Sequence, residues 1–224
     1  MDETIAVAER YAAADGRVRV LSLGRNLGIS ASLNAGLRAA RAPLIGVNDA
    51  DDHSAPQRLE RQVALLDARP EVAVVGCRMR ETDEQGRELR PRTIFAAGDV
   101  GALLMRANPI PNTSATFRRD AVLAAGGYDA RLRFAMEYDL WLRLAERWTV
   151  WTLDEVLATR VMGTANVASR AERAQIGEAL ALRARAMARR RSLRGAQGLL
   201  PYLVSYAAPL GLKRAWRRQR GQAP

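Results

Sequence analysis

The run Pro43-Leu44-Ile45-Gly46-Val47-Asn48-Asp49-Ala50-Asp51-Asp52 decides how this chain is read. Its first half is a short apolar stretch of the kind that forms a buried strand. Its second half sets three carboxylates at the strand's end, just before Pro56 and a helical pattern. Clustered carboxylates repel one another unless something neutralises them. Mg²⁺ and Mn²⁺ take oxygen ligands and usually share them between one or two carboxylates and substrate phosphates. A divalent cation holding a nucleotide diphosphate therefore accounts for the cluster. A solvated acidic turn, where Asp bonds its own backbone, accounts for it as well.

Working outward, the spacing predicts alternating helices and strands. Thr4 to Ala14 reads as a helix ended by Gly16, and Arg17 to Leu23 alternates as a strand does. Ser30 to Ala40 is helical, Pro43 to Val47 a buried strand, and Pro56 to Ala68 a helix with Pro in its first turn. Val72 to Gly76 is a second buried strand, and Gln85-Gly86 the tip of a polar hairpin. Helices are predicted over Asp99 to Arg106, Asp120 to Ala125 and Glu137 to Arg147, and strands over Thr113 to Phe117 and Trp148 to Leu153. Alternation of this kind predicts an α/β domain with a largely parallel sheet, whose ligands bind at the carboxyl ends of strands. The Asp cluster lies at such an end.

Composition narrows the class. The chain has 224 residues, enough for one ordinary domain with an appendage. The single cysteine, Cys77, cannot form an internal disulfide and follows an apolar run, so a buried thiol in a reducing compartment is predicted. The lone His53 rules out a multi-histidine zinc site and reads as a solvated turn residue. Met1-Asp2-Glu3-Thr4 has no apolar leader core, and no stretch is apolar enough to span a membrane. The net charge of +11 is confined to one end. Residues 170–224 carry 13 basic and 2 acidic side chains, while residues 1–169 balance at 22 against 22.

Six motifs in order resemble family-two glycosyltransferases of the GT-A fold. They are Asn26-Leu27-Gly28 with Leu33-Asn34-Ala35-Gly36-Leu37; Asp49-Ala50-Asp51-Asp52; Pro56-Gln57-Arg58-Leu59-Glu60-Arg61-Gln62; Asn108-Pro109-Ile110 with Phe117-Arg118-Arg119; Gly126-Gly127-Tyr128-Asp129; and Glu137-Tyr138-Asp139-Leu140-Trp141-Leu142-Arg143-Leu144. The resemblance covers roughly residues 2–170. It implies inverting transfer of a sugar from a nucleotide-sugar donor to a hydroxyl of a glycan or lipid-linked acceptor. Asp49 and Asp51 would hold Mn²⁺ or Mg²⁺ against the diphosphate, Asn34, Asp49 and Asp52 would line the donor site, and Asp52 would support either the loop or the donor ribose. Glu137 would be the general base that deprotonates the acceptor hydroxyl.

The chain also departs from the family. Relatives carry a Glu-Asp pair where this chain has Met136-Glu137, so the base is one methylene longer and its acidic neighbour is gone. Asn112 stands where many relatives have His, and Arg160-Val161-Met162 where they often read Arg-x-His. Trp141 reads as core. The family's opening strand, helix and second strand, which bind the base and ribose, have no counterpart here. The resemblance therefore implies a GT-A (Rossmann-like) α/β domain lacking its first strands over residues 1–169, with a basic, helical extension over 170–224. A fragment or mis-started reading frame is the expected explanation; a partner that supplies the missing strands is the other.

In that extension Ala171 to Arg191 is an Ala/Arg-rich helical pattern. Pro201 to Arg220 mixes Leu, Tyr, Val and Trp with flanking arginines. Such a segment suits an anionic membrane surface, or packs on the domain with a solvated basic face. No base-reading motif supports specific nucleic-acid binding. The reading is a cytoplasmic, peripheral-membrane, metal-dependent glycosyltransferase of polysaccharide or glycolipid synthesis. The alternative is an inactive remnant or binding module of the same fold. The intact mass of the product from its native source checks the first expectation: it should exceed 24.6 kDa by several kilodaltons, and a mass at that value would overturn it.

Overall fold

The structure is a computed structural model that describes residues 3–89, 94–162 and 172–190. Its centre is a pair of long strands, β3 (Val72–Asp83) and β7 (Thr149–Met162), running parallel side by side. The start of β3, Val72-Ala73-Val74-Val75, is buried at every residue. A continuous β-branched run of this kind marks a strand covered on both faces.

The other strands assemble around this pair. They are β1 (Leu44–Gly46), β2 (His53–Ser54), β4 (Glu88–Leu89), β5 (Gly98–Asp99) and β6 (Thr116–Arg118). The sheet runs in the order β1-β6-β3-β7-β2, with β4 against β3 and β5 against β7. Every pairing except β3–β7 is antiparallel. The sheet is thus mixed rather than largely parallel. Helix-strand alternation reports which elements alternate along the chain, but direction depends on where each connection returns.

Among the described residues six helices accompany the sheet: α1 (Thr4–Ala14), α2 (Ile29–Ala39), α3 (Arg58–Ala68), α4 (Arg119–Ala124), α5 (Met136–Leu144) and α6 (Glu172–Arg190). Helix α5 is buried at seven of its nine positions, and Trp141 is fully covered, its ring 6.2 Å from that of Phe117. Its predicted place in the core holds. Helix α6 contributes Leu182 and Ala186 to the same core. The first helix of the basic extension therefore packs on the domain. The tail from residue 191 onward, including Pro201 to Arg220, lies outside the described residues.

Some predicted elements differ. Arg17 to Leu23 is not a strand: Val18, Val20 and Leu21 are exposed, and among the described residues no strand runs beside them. Alternation marks a strand only where a neighbour completes the ladder. Asp99 to Arg106 is a turn with a short 3₁₀ helix at Leu103–Met105. Thr113 begins in a second 3₁₀ turn, Asn112–Ser114, before β6. Strand β7 continues nine residues past Leu153, because β3 lies beside it almost to its end.

Helix α3 is fastened to the sheet by a buried amide. Gln62 Nε2 donates to Ser114 O (2.8 Å) and Val75 O (3.2 Å), and Thr116 Oγ1 donates to Gln62 Oε1 (2.6 Å). Gln62→Leu removes one hydrogen-bond partner from each of three buried polar groups, and should lower unfolding stability by about 2–4 kcal/mol. The urea midpoint checks this; a loss under about 0.5 kcal/mol would mean that these groups find other partners.

Candidate active site

The Asp cluster is held by its backbone. Beyond β1, Val47 N–H donates to Ala115 O (2.9 Å) and Asp49 N–H to Thr113 Oγ1 (3.0 Å). Asp52 N–H closes a turn on Asp49 O (3.1 Å), and Asn48 Nδ2 donates to the carbonyls of Asp49 (2.8 Å) and Asp52 (3.2 Å). From behind, buried Arg58 donates to Val47 O (2.8 Å) and to Thr113 O. A guanidinium thus ties the Asp loop to the loop before β6. Burial lowers the pKa of Arg58, and its Nε has no hydrogen-bond partner among the described residues.

The three carboxylates differ in setting. Asp49 and Asp51 are exposed, whereas Asp52 is buried and its Oδ1 accepts from Val161 N–H (3.2 Å). Desolvation by the surrounding protein pushes Asp49 above the usual carboxylate range; nearby Arg160 opposes this and Asp51 adds to it. Asp52 is raised chiefly by burial, again against Arg160. Asp52 therefore fastens the loop to β7, and Asp49 and Asp51 are left to face outward.

Glu137 opens α5 and is half-buried. Its carboxyl is pushed up to about 7, first by burial; its own backbone N–H, then Arg160, pull it down, Asp49 pushes it up, and a hydrogen bond from Asn108 lowers it further. Asn108 Nδ2 donates to Glu137 Oε1 at 3.1 Å. Buried Tyr128 lies in the same field, its hydroxyl raised by burial and then by Glu137 and Asp49, and it donates to Asn112 Oδ1 (2.9 Å). The fold thus brings Glu137 and Asp49 into one electrostatic neighbourhood, with Arg160 as their shared cation.

The remaining candidates have other places. Asn34 was expected to touch the donor, but its side chain clasps the backbone of Tyr128: Nδ2 donates to Tyr128 O (2.7 Å) and Oδ1 accepts from Tyr128 N–H (2.9 Å). It anchors α2 to the Gly126-Gly127-Tyr128 turn, because an amide supplies the donor and acceptor that one peptide unit needs. A Cβ on Gly127 would come within 2.6 Å of Asn34 Oδ1, so this clasp needs glycine there. Met136 is buried, which suits an apolar residue better than the acid of relatives. Asp139 pairs with Arg143 (2.7 Å), which also holds the carbonyls of Ala125 and Gly127. Cys77 is buried as predicted and its thiol is pushed up to about 11. His53 is exposed on β2.

Oxygen donors alone at Asp49 and Asp51 suit a hard divalent cation, and two carboxylates leave room in its shell for phosphate oxygens. Among the described residues no group of three or more His, Cys, Asp or Glu side chains could hold a metal by itself. The sequence pointed to Asp49, Asp51 and Glu137 but not to Arg160, Asn108 or Tyr128 as their neighbours. An Asn before Pro is a turn signal, which hinted that Asn108 has a fixed shape and not what it faces.

The family model described as "Glycosyl transferase family 2" matches residues 1–133. The chain belongs to glycosyltransferase family 2. The match ends short of Glu137, so that residue rests on geometry and on the resemblance. The amylovoran biosynthesis glycosyltransferase AmsE of Erwinia amylovora is 34% identical over 139 residues, covering 62% of this chain and 52% of AmsE. The chain spans about half the length of the curated relatives it matches. The Staphylococcus aureus TarS 1–349 complex with UDP-GlcNAc superposes with a TM-score of 0.67 at 16% identity, covering 96% of this chain and 66% of TarS. The mannosyltransferase PcManGT of Pyrobaculum calidifontis, solved with GDP-Man and Mn²⁺, gives 0.59 at 21% identity, covering 98% and 67%. These likenesses show the GT-A fold. No described helix is long and apolar enough to cross a membrane.

A raised carboxyl in this family-two domain has a consequence for stability. Glu137 binds its proton more tightly folded (about 7) than at its ordinary value of 4.5. Its contribution is fully present below about 4.5 and is lost as pH rises through about 7. Glu137→Gln removes that loss. The variant should gain about 3 kcal/mol relative to wild type between pH 4.5 and pH 8 in urea unfolding. Equal pH dependence in the two proteins would place Glu137 in water.

Proposed function

We propose that this domain transfers a sugar, with inversion, from a nucleotide-sugar donor to a hydroxyl of a glycan or lipid-linked acceptor in polysaccharide or glycolipid assembly. The observation that carries the reading is Glu137, a carboxyl pushed up to about 7 within the field of Asp49 and Arg160. A general base works best when its pKa lies near the working pH. Glu137 takes the proton of the acceptor hydroxyl while that oxygen attacks the anomeric carbon. The bond from the anomeric carbon to the diphosphate breaks on the opposite side, and the nucleotide leaves as an anion.

Asp49 and Asp51 would hold Mn²⁺ or Mg²⁺, which when bound neutralises charge on the leaving diphosphate. The metal in the PcManGT complex supports this, as the UDP-GlcNAc complex of TarS supports a nucleotide-sugar donor. Asp52 keeps the Asp loop on β7, and Arg160 adds positive charge beside it. The role of AmsE in amylovoran biosynthesis supports a glycan acceptor. The basic sequence beyond residue 190 supports work at the cytoplasmic face of a membrane, as a peripheral protein.

The second reading is a binding module without turnover. It is favoured by the apolar strip of Val18, Val20, Leu21, Leu27 and Ile29, all exposed, since large exposed apolar patches mark partner surfaces. Calorimetry with UDP and GDP, with and without Mn²⁺, separates the two. Asp51→Ala should weaken Mn²⁺-dependent nucleotide binding by about tenfold or more. Glu137→Gln should leave that binding intact and reduce turnover of UDP- and GDP-sugars by roughly 10²–10⁴-fold. Nucleotide binding without any turnover would favour the module; binding indifferent to Mn²⁺ and to Asp51 would remove the metal.

A further inference from the structure

The carboxylate of Glu137 receives one side-chain hydrogen bond among the described residues, from Asn108. Asn108 is itself fixed. Its Oδ1 accepts from Ile110 N–H at 3.2 Å, a local turn in which side-chain oxygen and backbone amide lock each other. Only one orientation of the amide serves both contacts: an N–H group requires the oxygen, and a carboxylate requires the NH₂. The segment bearing Asn108 is also held on both flanks by α5, the helix that bears Glu137. Tyr138 donates its hydroxyl to Leu104 O, and Trp141 Nε1 donates to Ile110 O at 2.9 Å. From below, Ile110 sits against Gly76 of β3, where a Cβ would approach Ile110 Cγ2 to 2.8 Å. Donor and acceptor thus stand on one rigid unit.

We propose that Asn108 is a positioning residue for the general base: its amide holds one oxygen of Glu137, so that the other is presented to the acceptor hydroxyl. This rests on Glu137 being the base. A carboxylate at the end of a three-torsion side chain is otherwise spread over rotamers, and an orienting partner restricts it to the productive one. Asn suits the task better than a second acid. Its N–H stabilises the ionised form, whereas an acid would compete for the same proton. The charged and titratable groups around Glu137 are Arg160 on β7, Asp49 after β1 and Tyr128 after α4.

The test uses Asn108→Asp, which is nearly isosteric and keeps the oxygen that binds Ile110 N–H while deleting the N–H on Glu137. Asn108→Ala is the second variant, and both are compared with Glu137→Gln. The first readout is the titration of the Glu137 carboxyl by carbon NMR, assigned by its absence in Glu137→Gln; it needs no turnover. The second is Mn²⁺-supported hydrolysis of UDP-glucose, UDP-GlcNAc and GDP-mannose. Removing the hydrogen bond in Asn108→Ala should raise the carboxyl's midpoint by roughly half a unit to one unit. Asn108→Asp should raise it by about one unit or more, because two acids then share the site. In both variants kcat should fall by about tenfold or more with KM changed less than about threefold, and the acidic limb of the rate profile should move up with the carboxyl. Folded variants with unchanged midpoint and unchanged kcat would overturn the proposal. If Glu137→Gln keeps full turnover, the base assignment itself fails. If Glu137→Gln abolishes turnover and the Asn108 variants do not alter it, only the positioning role fails.

Discussion

The close parallel pairing of β3 and β7 is the constraint on which the rest of this structure depends. The two strands run together over nearly their whole length, and their covered sides receive α5, Phe117 and Ile110. Burial of such β-branched and aliphatic surface is the dominant favourable term in folding. It also sets spacing. Gly76 has no side chain, so Ile110 seats directly on β3, and Ile110 brings the Asn108 segment with it. The Asp loop reaches the same region from β1, whose partner β6 is paired to β3 in turn. A site formed from residues 49, 108, 128, 137 and 160 is thus referenced to one rigid pair.

Polar groups then make the arrangement specific. Buried amides and guanidinia join elements that hydrophobic packing alone would leave free to slide. Gln62 joins α3 to β3 and β6, Asn34 joins α2 to the turn after α4, and Arg58 joins the Asp loop to the loop before β6. Each bonds backbone groups of a second element, which is why their loss is costly. Family motifs read as functional in the sequence are divided by the structure between two duties. Asp49 and Asp51 stay exposed and Glu137 lies in the field of Asp49, while Asn34, Arg58, Gln62 and Arg143 bind backbone around them.

Electrostatics gives the site its chemical character. Asp49, Asp52 and Glu137 are all raised, chiefly by burial, and Arg160 is the opposing charge at all three. A field with more carboxylate than cation is prepared to accept positive charge from outside. It also keeps a carboxyl near neutrality, where proton transfer to and from it is easy. Both properties agree with a domain of glycosyltransferase family 2.

Local pattern by itself determined much. The buried strand at Val72, the helix ending at Ala68, the packed face of α5 and the covered Cys77 follow from apolar spacing, because a side chain's preference for water or interior does not depend on distant partners. The order of motifs determined the family, and the same motifs single out Asp49, Asp51 and Glu137 as candidates. Only the tertiary structure decided that Arg17 to Leu23 forms no ladder, that most of the sheet is antiparallel and that β7 extends to Met162. It also decided that Asn34 clasps the backbone of Tyr128, that Asp52 finds its partner on β7, and that Asn108 and Arg160 meet Glu137. Those outcomes depend on which groups lie opposite one another in space, and pairing partners far apart in the chain leave no local mark in its sequence.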